Sequence, residues 1–384
     1  MSTAYDVAIL GAGIVGAACA LECASRGLRT VVTEGRGVGS GATAAGMGHI
    51  VVMDDSEAQL ALTRYSQTLW HALAARLPDE VEFDRCGTLW VAADEEEMQE
   101  VRRKQAVYVA AGVAAEILGA RGLEEAEPHL RRPMAGALLV PGDAVLYPPC
   151  TAAWLLQEAR RMGAEFVAES AVGAVAGGVL LSGGSELQAA HIVIACGADS
   201  TDLLPALPIR KRKGHLVITD RYPGMVRHQL VELGYLKSAH SLTADSVAFN
   251  VQPRRTGQLL IGSSRQFGDE SREVDHGILA RMLQRAEEYL PEIGGCSAIR
   301  VWTGFRAATP DKLPLIGPWP DDESLMLATG HEGLGITTSL GTGRLVADLL
   351  TGTVPEIAAD AYRPGRFLSG AGTEPEVARG GMGA

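Results

Sequence analysis

The stretch that decides the fold is YDVAILGAGIVGAACALECASRGLRTVVTE, residues 5–34. Its short apolar start predicts a buried parallel strand, and the segment after the glycines predicts a helix. Between them lie Gly11, Gly13 and Gly16, spaced as G-x-G-x-x-G. The first glycine allows a tight turn, the second lets a pyrophosphate approach the backbone, and the third lets the helix pack on the strand.

An acidic residue completes this unit. Residues 28–33 predict a second strand, and Glu34 follows it, where a carboxylate can accept both ribose hydroxyls. The helix N-terminus points its partial positive charge at the phosphates. The order of strand, glycines, helix, strand and acid predicts a dinucleotide site. Because Glu34 would repel a 2′-phosphate, NADP is disfavoured, whereas NAD and FAD both remain open.

Composition excludes several classes of protein. The chain has 384 residues, of which 47% are hydrophobic, so it can bury one large core or two coupled cores. Its net charge of -12 disfavours nucleic acid and anionic membranes as partners. The six cysteines form no C-x-x-C pair, so we expect no metal centre. With no spanning apolar run and no basic leader, we expect a cytoplasmic enzyme, either free or held at the inner face of the membrane.

Periodicity outlines two interleaved domains. We predict helices over residues 14–26, 65–77, 95–111, 151–162, 274–289 and 344–350, with a glycine-rich turn over 330–343. Alternating strands over 215–262 predict an antiparallel sheet against a substrate chamber. We therefore predict an α/β fold with a Rossmann-like FAD-binding or NAD-binding domain and an α+β substrate domain. The predicted boundaries are 1–85, 145–210 and 300–368 for the first domain, 86–144 and 211–299 for the second, and 369–384 for a disordered tail.

Two later motifs carry chemistry. WTGFRAATPDKLPLIG, residues 302–317, places Arg306 in a mostly apolar run, where a guanidinium could bind a carboxylate through two hydrogen bonds or form a structural ion pair. LATGHEGLGITT, residues 327–338, is a second glycine-rich turn after a strand. Its backbone N–H groups could hold the anionic edge of a flavin ring. A nicotinamide dehydrogenase would explain the first motif but not this later turn.

With these motifs in place, the chain resembles the FAD-dependent amine and D-amino-acid oxidoreductases of the D-amino-acid oxidase superfamily, which includes glycine oxidase and sarcosine oxidase. The motifs that carry this resemblance run along the whole chain: GAGIVG (11–16), SGATAAGMGH (40–49), ACGA (195–198), GFRAATPDKLPLIG (304–317) and TGHEGLGIT (329–337). More narrowly, KRKGHLVITDRYPG (211–224) and FNVQPRRTGQLLIGSSRQFG (249–268) look like segments of bacterial D-hydroxyproline dehydrogenases.

The resemblance implies FAD bound in an extended form and without a covalent link, since no cysteine follows Cys296. It places the ADP part near the first motif and the flavin ring between the small-residue tract and the second glycine turn. The residues expected to contact FAD are Gly11, Ala12, Gly13, Ile14, Val15, Gly16, Glu34, Gly41, Ala42, Thr43, Ala45, Gly46, Met47, Gly48, Val172, Gly197, Gly304, Gly330, His331, Glu332, Gly333, Leu334, Gly335 and Ile336.

The resemblance also implies a substrate site. Arg306 would hold the substrate carboxylate over the flavin, with Tyr235 within reach of the same group. His49, Asn250 and His331 are the other polar residues expected at the pocket. Hydride would pass from the substrate Cα to flavin N5 and leave an imine.

The resemblance leaves three functions to compare. The first is a dehydrogenase that oxidises D-hydroxyproline, with the cis-4-hydroxy isomer preferred, to a 1-pyrroline carboxylate. It would pass electrons to a quinone, a carrier protein or a partner subunit. The second is an oxidase of glycine, sarcosine or D-proline that makes hydrogen peroxide. Leu260 stands where sarcosine oxidases have an oxygen-activating lysine, which favours the dehydrogenase. The third is the flavin subunit of a heteromeric electron-transfer dehydrogenase. The sequence leaves the oligomeric state open.

Overall fold

The computed structural model describes residues 5–175, 177–233 and 245–367. Within them the strands are β1 (Tyr5–Leu10), β2 (Thr30–Thr33), β3 (His49–Ile50), β4 (Thr88–Ala92), β5 (Glu116–Gly119), β6 (Gly136–Val140), β7 (Ala144–Val145), β8 (Glu165–Val167), β9 (Ala171–Val175), β10 (Gly178–Leu181), β11 (Glu186–Ile194), β12 (Arg210–Arg221), β13 (Gln229–Glu232), β14 (Ser246–Pro253), β15 (Gln258–Arg265), β16 (Ala298–Ala308), β17 (Leu315–Trp319) and β18 (Asp322–Thr329). The α-helices are α1 (Ile14–Ser25), α2 (Glu57–Leu73), α3 (Glu95–Ala110), α4 (Ala120–Ala126), α5 (Pro148–Arg161), α6 (Ser200–Leu203), α7 (His276–Tyr289) and α8 (Gly335–Thr351).

The first sheet has a parallel centre. Its main path runs β17-β18-β11-β1-β2-β8, with β9 and β10 attached beside β11. β1 pairs in parallel with both β2 and β11, and β11 pairs in parallel with β18. Such strands are buried on both faces, which explains their continuous apolar runs. The mixed α/β fold expected from the sequence is confirmed.

Helix α8 corrects one prediction. The sequence predicted a turn over 330–343 and a helix from 344, whereas α8 begins at Gly335 and ends at Thr351. The reason is close packing against α1: a Cβ atom on Gly343 would lie 2.7 Å from the carbonyl oxygen of Ala18. Glycine has a low helix propensity, so the glycines of this segment favoured a turn in the sequence-based prediction. In the structure, Gly343 instead allows two helices to pack closely.

Helix α2 also differs from its prediction of 65–77. It begins at Glu57, two turns earlier, because Ser56 caps its N-terminus by accepting a hydrogen bond from the Gln59 backbone N–H at 3.1 Å. It ends at Leu73, after which the chain forms a short 3-10 turn. Serine before a helix with a glutamine three residues later is a recognised start signal.

The second sheet is mostly antiparallel, in the order β16-β12-β15-β14-β13-β4-β6-β5. One face packs on α7, where the rings of Phe249 and Tyr289 stack with centroids 4.6 Å apart. The other face carries Leu216 and Leu260, which pack on Met47. The domain boundaries stay a prediction, and the one placed at residue 300 falls inside β16, which pairs with β12.

The two sheets meet where the parallel strands end. Leu10, Thr33 and Ala328 lie at the carboxyl ends of β1, β2 and β18, and all three line a common cavity. Ligands of open parallel sheets bind at this edge. None of the helices in the described ranges is long and apolar enough to cross a bilayer.

Candidate active site

A cavity of about 580 Å³ separates the carboxyl ends of the first sheet from one face of the second. The tract over 41–48 lies along it, and the first turn of α8 and the strand β16 complete its wall. Nearly all of the residues predicted to bind a cofactor or substrate lie in this one cavity, although they come from eight separate segments of the chain.

Its first part is built to receive an anion. Helix α1 begins after Gly13, which has no side-chain cap, and its first turn has no acidic residue. The Ile14 backbone N–H donates to Thr43 Oγ1 at 3.0 Å, which ties the small-residue tract to this helix. An uncapped N-terminus facing a cavity favours phosphate, since its N–H groups and partial positive charge point at the ligand.

Glu34 is held in place by backbone donors. Its Oε2 accepts from the Ala12 N–H at 3.2 Å and its Oε1 accepts from the Arg36 N–H at 2.8 Å. The carboxylate is thereby fixed at the end of β2 and lines the cavity. This geometry suits the ribose contact that the sequence predicted.

Glycines make room along the cavity. Gly11 has φ of +101°, and a Cβ atom there would lie 2.8 Å from the Ala195 carbonyl oxygen. A Cβ atom on Gly46 would lie 2.6 Å from Ile336 Cδ1 in α8. A side chain at residue 11 would therefore push the first glycine turn away from Ala195, and one at residue 46 would push the tract away from α8.

Most of the predicted cofactor contacts line the cavity, with three exceptions. Ala12 is fully buried in the core, and its N–H is bonded to Glu34. Gly16 faces the strand, because a Cβ atom there would overlap the Gly11 carbonyl oxygen. Leu334 packs away from the cavity against the hydrophobic cluster around Val51 and Trp90. The predicted residues that line the cavity are Gly11, Gly13, Ile14, Val15, Glu34, Gly41, Ala42, Thr43, Ala45, Gly46, Met47, Gly48, Val172, Gly197, Gly304, Gly330, His331, Glu332, Gly333, Gly335 and Ile336.

Two backbone N–H groups of the second glycine turn are bonded within the protein. The Glu332 N–H donates to the Ala307 carbonyl at 3.0 Å, and the Leu334 N–H donates to the His331 carbonyl at 2.9 Å. These two donors are therefore used within the protein. The uncapped N-terminus of α8, at Gly335 and Ile336, is the part of the turn that presents helix-dipole charge to the cavity.

Arg306 lines the cavity beside Gly214 of the second sheet. It projects from β16 in register with Arg212 of β12, and its Nη1 donates to the Ser264 carbonyl at 3.0 Å. Its guanidinium lies over Gly214, where a Cβ atom would be 2.5 Å from Nη1. Burial lowers the pKa of Arg306, Glu332 opposes that shift, and Arg212 adds to it.

Five residues that line the cavity carry a buried polar atom with no hydrogen-bond partner among the described residues. They are Thr33 Oγ1, His49 Nε2, Asn250 Oδ1, Ser263 Oγ and Glu332 Oε2. Asn250 follows an irregularity in the pairing of β14 with β15, and it lines the cavity. Burial lowers the pKa of His49 to about 4, so its imidazole is neutral near neutral pH.

His331 lines the cavity, but its ring is bonded to α8. Its Nε2 lies 2.9 Å from Thr342 Oγ1, and burial lowers its pKa to about 3. A neutral ring with one nitrogen bonded to a helix is better suited to shaping the wall than to moving protons. The remaining catalytic candidate, Tyr235, lies outside the described residues.

Sequence reasoning missed several cavity residues. Gly214 and Ser263 both line the cavity, and a Cβ atom on Gly214 would lie against the Arg306 guanidinium. A glycine inside a strand pattern was an available signal of this close approach. Asp199 also lines the cavity and is paired with Arg36 at 2.6 Å. That ion pair joins residues far apart in sequence, so no local pattern indicates it.

Comparison with known proteins defines the class. A family model described as FAD dependent oxidoreductase matches residues 6–349. A glycine oxidase of Geobacillus kaustophilus (strain HTA426) is 31% identical over 366 residues, covering 91% of this chain and 94% of that protein. The crystal structure of glycine oxidase from Geobacillus kaustophilus has a TM-score of 0.84 at 28% identity, covering 94% of this chain and 98% of the other. The crystal structure of L-proline dehydrogenase from P. horikoshii has a TM-score of 0.84 at 22% identity, covering 96% and 99%, which is a likeness of fold alone.

The chain therefore belongs to the family of FAD-dependent oxidoreductases, and FAD is its cofactor. The residues present fit that group. The uncapped start of α1 suits the phosphates, Glu34 suits a ribose, and the glycine-lined walls leave space for a planar ring. Bound FAD supplies the hydride acceptor of the reaction.

Proposed function

We propose that this enzyme is a dehydrogenase of a cyclic D-amino acid. The substrate is D-hydroxyproline, with the cis-4-hydroxy isomer preferred, and the product is a 1-pyrroline carboxylate. The observation that carries the proposal is that one cavity holds the Arg306 guanidinium together with the unpartnered polar atoms of His49, Asn250 and Ser263. The likeness to proteins named glycine oxidase supports an amino acid as the substrate.

The unpartnered atoms argue for a hydroxylated substrate. A buried polar group without a partner costs roughly 1–3 kcal/mol. A ring hydroxyl would donate to Asn250 Oδ1 and could accept from Ser263 or His49, each of which has such an atom. Glycine and sarcosine have no hydroxyl group and would leave these atoms unsatisfied.

The residues of the chain act by binding and orientation. Arg306 binds the carboxylate with its remaining donors, because its Nη1 is already anchored on the Ser264 carbonyl. Fixing that end aims the substrate Cα–H in one direction, which is the main contribution that a positioning site makes to rate. His49 and His331 are neutral near neutral pH, so their rings add no positive charge beside Arg306.

The electron acceptor is proposed to be a carrier and not oxygen. Leu260, at the position of the sarcosine oxidase lysine, is buried with Met47 and Leu216. An aliphatic side chain there gives no positive charge to promote reaction with oxygen. The acceptor would be a quinone, a carrier protein or a partner subunit, in the cytoplasm or at the inner face of the membrane.

The second candidate is an oxidase that forms hydrogen peroxide, which the likeness to glycine oxidases favours. The purified chain should reduce an artificial dye with cis-4-hydroxy-D-proline and form little peroxide in air. A stoichiometric peroxide yield would favour the oxidase. A chain that contains FAD but reduces no dye would instead favour the flavin subunit of a heteromeric enzyme.

Substrate specificity is tested with Asn250→Ala. We expect kcat/KM for cis-4-hydroxy-D-proline to fall about tenfold or more, because a site built to hydrogen-bond a hydroxyl loses that contact. D-proline has no hydroxyl and serves as the matched control, with kcat/KM changed by less than about threefold. Equal losses for both substrates would contradict the proposed role of Asn250.

A further inference from the structure

Glu332 is held beside Arg306 by the backbone. It has a left-handed conformation, with φ of +51°, and its N–H donates to the carbonyl of Ala307, the residue after Arg306. The next residue touches the arginine, since a Cβ atom on Gly333 would lie 3.6 Å from Arg306 Nε. Glu332 and Arg306 are thus close neighbours in the cavity wall.

The carboxylate of Glu332 faces a strongly cationic group of residues. Its Oε1 accepts from Arg212 Nη1 at 2.5 Å, and the Arg212 side chain is only 3% exposed. Arg212 lies in register with Arg306 across β12 and β16. A third guanidinium, that of Arg265, is also buried near Glu332. Its pKa is lowered to about 9 by burial and by the positive charges of Arg306 and Arg212. The negative charges of Glu332 and Asp55 partly oppose this shift.

The second oxygen of this carboxylate has no protein partner. Glu332 Oε2 is buried and accepts no hydrogen bond from the described residues, although Oε1 is paired. A buried carboxylate oxygen accepts hydrogen bonds and cannot donate them while ionised. A ligand that fills the cavity beside Arg306 would therefore be expected to bring a donor to this oxygen.

We propose that Glu332 Oε2 accepts a hydrogen bond from the amino group of the substrate while Arg306 binds its carboxylate. This inference rests on the proposed carboxylate site at Arg306. An α-amino acid has its N–H and its carboxylate on one carbon, so the groups that bind them must be neighbours, as Glu332 and Arg306 are. Glu332 makes the site selective for amino acids over other carboxylates, and it is a substrate-binding residue in addition to its place in the turn.

The test compares the binding of two planar ring carboxylates that have nearly the same shape. Pyrrole-2-carboxylate has a ring N–H, furan-2-carboxylate has a ring oxygen in its place, and neither has a Cα–H to lose. Calorimetric titration of the FAD-loaded full chain at one neutral pH gives both dissociation constants. The wild type should bind the pyrrole about tenfold or more tightly, the value of a hydrogen bond to a charged group.

In the Glu332→Gln variant, the preference for pyrrole-2-carboxylate should fall below about threefold. Furan-2-carboxylate should bind the variant more tightly than it binds the wild type, because one negative charge near the ligand carboxylate is gone. If Glu332 only held Arg212, both ligands would weaken together. Asp269→Asn is the matched control. Asp269 forms an ion pair at 2.6 Å with Lys213, which is the neighbour of Arg212 in β12. This variant should leave the preference for pyrrole-2-carboxylate unchanged.

The outcomes separate this inference from the proposed function. Equal binding of the two ligands by the wild type would overturn the role of Glu332, even if the variant did not fold, and would leave the Arg306 site standing. Binding of neither ligand would overturn the carboxylate site itself, and the role of Glu332 with it.

Discussion

Gly214→Ala is a direct test of the proposed carboxylate site at Arg306. The new methyl carbon would lie 2.5 Å from Arg306 Nη1 and 3.0 Å from Cζ and Nη2. Carbon and nitrogen atoms in contact normally lie about 3.5 Å apart, so the guanidinium must move by about 1 Å. A displacement of this size in a positioning group can cost about a hundredfold in rate, or roughly 2.7 kcal/mol of transition-state stabilisation.

The assay is kcat/KM for the amino acid substrate, with FAD content and the thermal unfolding midpoint measured on the same samples. We expect kcat/KM to fall about a hundredfold with FAD content unchanged, because Gly214 touches the arginine. Gly119→Ala is the matched control: it is also a glycine in a strand of the second sheet, and a Cβ atom there meets no atom within 4 Å. Activity of Gly214→Ala within about threefold of this control would refute the placement of Arg306 at the substrate.

Three further predictions concern the cofactor, the fold and pH. Glu34→Gln should weaken FAD binding about tenfold, since a neutral amide is a poorer acceptor for ribose hydroxyls, and unchanged affinity by flavin fluorescence would contradict this. Gly343→Ala should lower the unfolding midpoint by several degrees, because its methyl would meet the Ala18 carbonyl at 2.7 Å; an unchanged midpoint would argue against the close helix contact. The pKa of His331 is about 3 in the fold against an ordinary value of about 6.5, so the wild type should lose stability as pH falls below about 6.5. His331→Gln should reduce that loss in urea unfolding, and identical pH profiles would contradict it.

Local sequence was enough to predict the dinucleotide unit. Residues 5–34 specify β1, the glycine turn, α1, β2 and Glu34 within one continuous segment, so no long-range contact is needed to recognise them. The prediction of α8 failed for the opposite reason. Its glycines favour a turn locally, and the contact of Gly343 with α1 joins residues more than 300 positions apart.

The candidate site likewise depends on contacts between residues that are far apart in the sequence. Arg306 was found because an arginine in an apolar, turn-rich run is unusual. Its surroundings depend on register: Gly214 lies opposite Gly304, and Arg212 lies opposite Arg306, only because β12 and β16 pair in that alignment. The ion pair of Arg212 with Glu332 links β12 to the turn before α8, and no spacing within the chain indicates it.

The central claim is that this flavoenzyme oxidises a hydroxylated cyclic D-amino acid bound at Arg306. The most direct measurement is anaerobic bleaching of the flavin absorbance of the purified chain, titrated in parallel with cis-4-hydroxy-D-proline, D-proline, sarcosine and glycine. We predict rapid bleaching by cis-4-hydroxy-D-proline, slower but measurable bleaching by D-proline, and none by sarcosine or glycine. Rapid bleaching by glycine or sarcosine, with none by the hydroxylated substrate, would contradict the claim and assign the chain to the glycine and sarcosine oxidases.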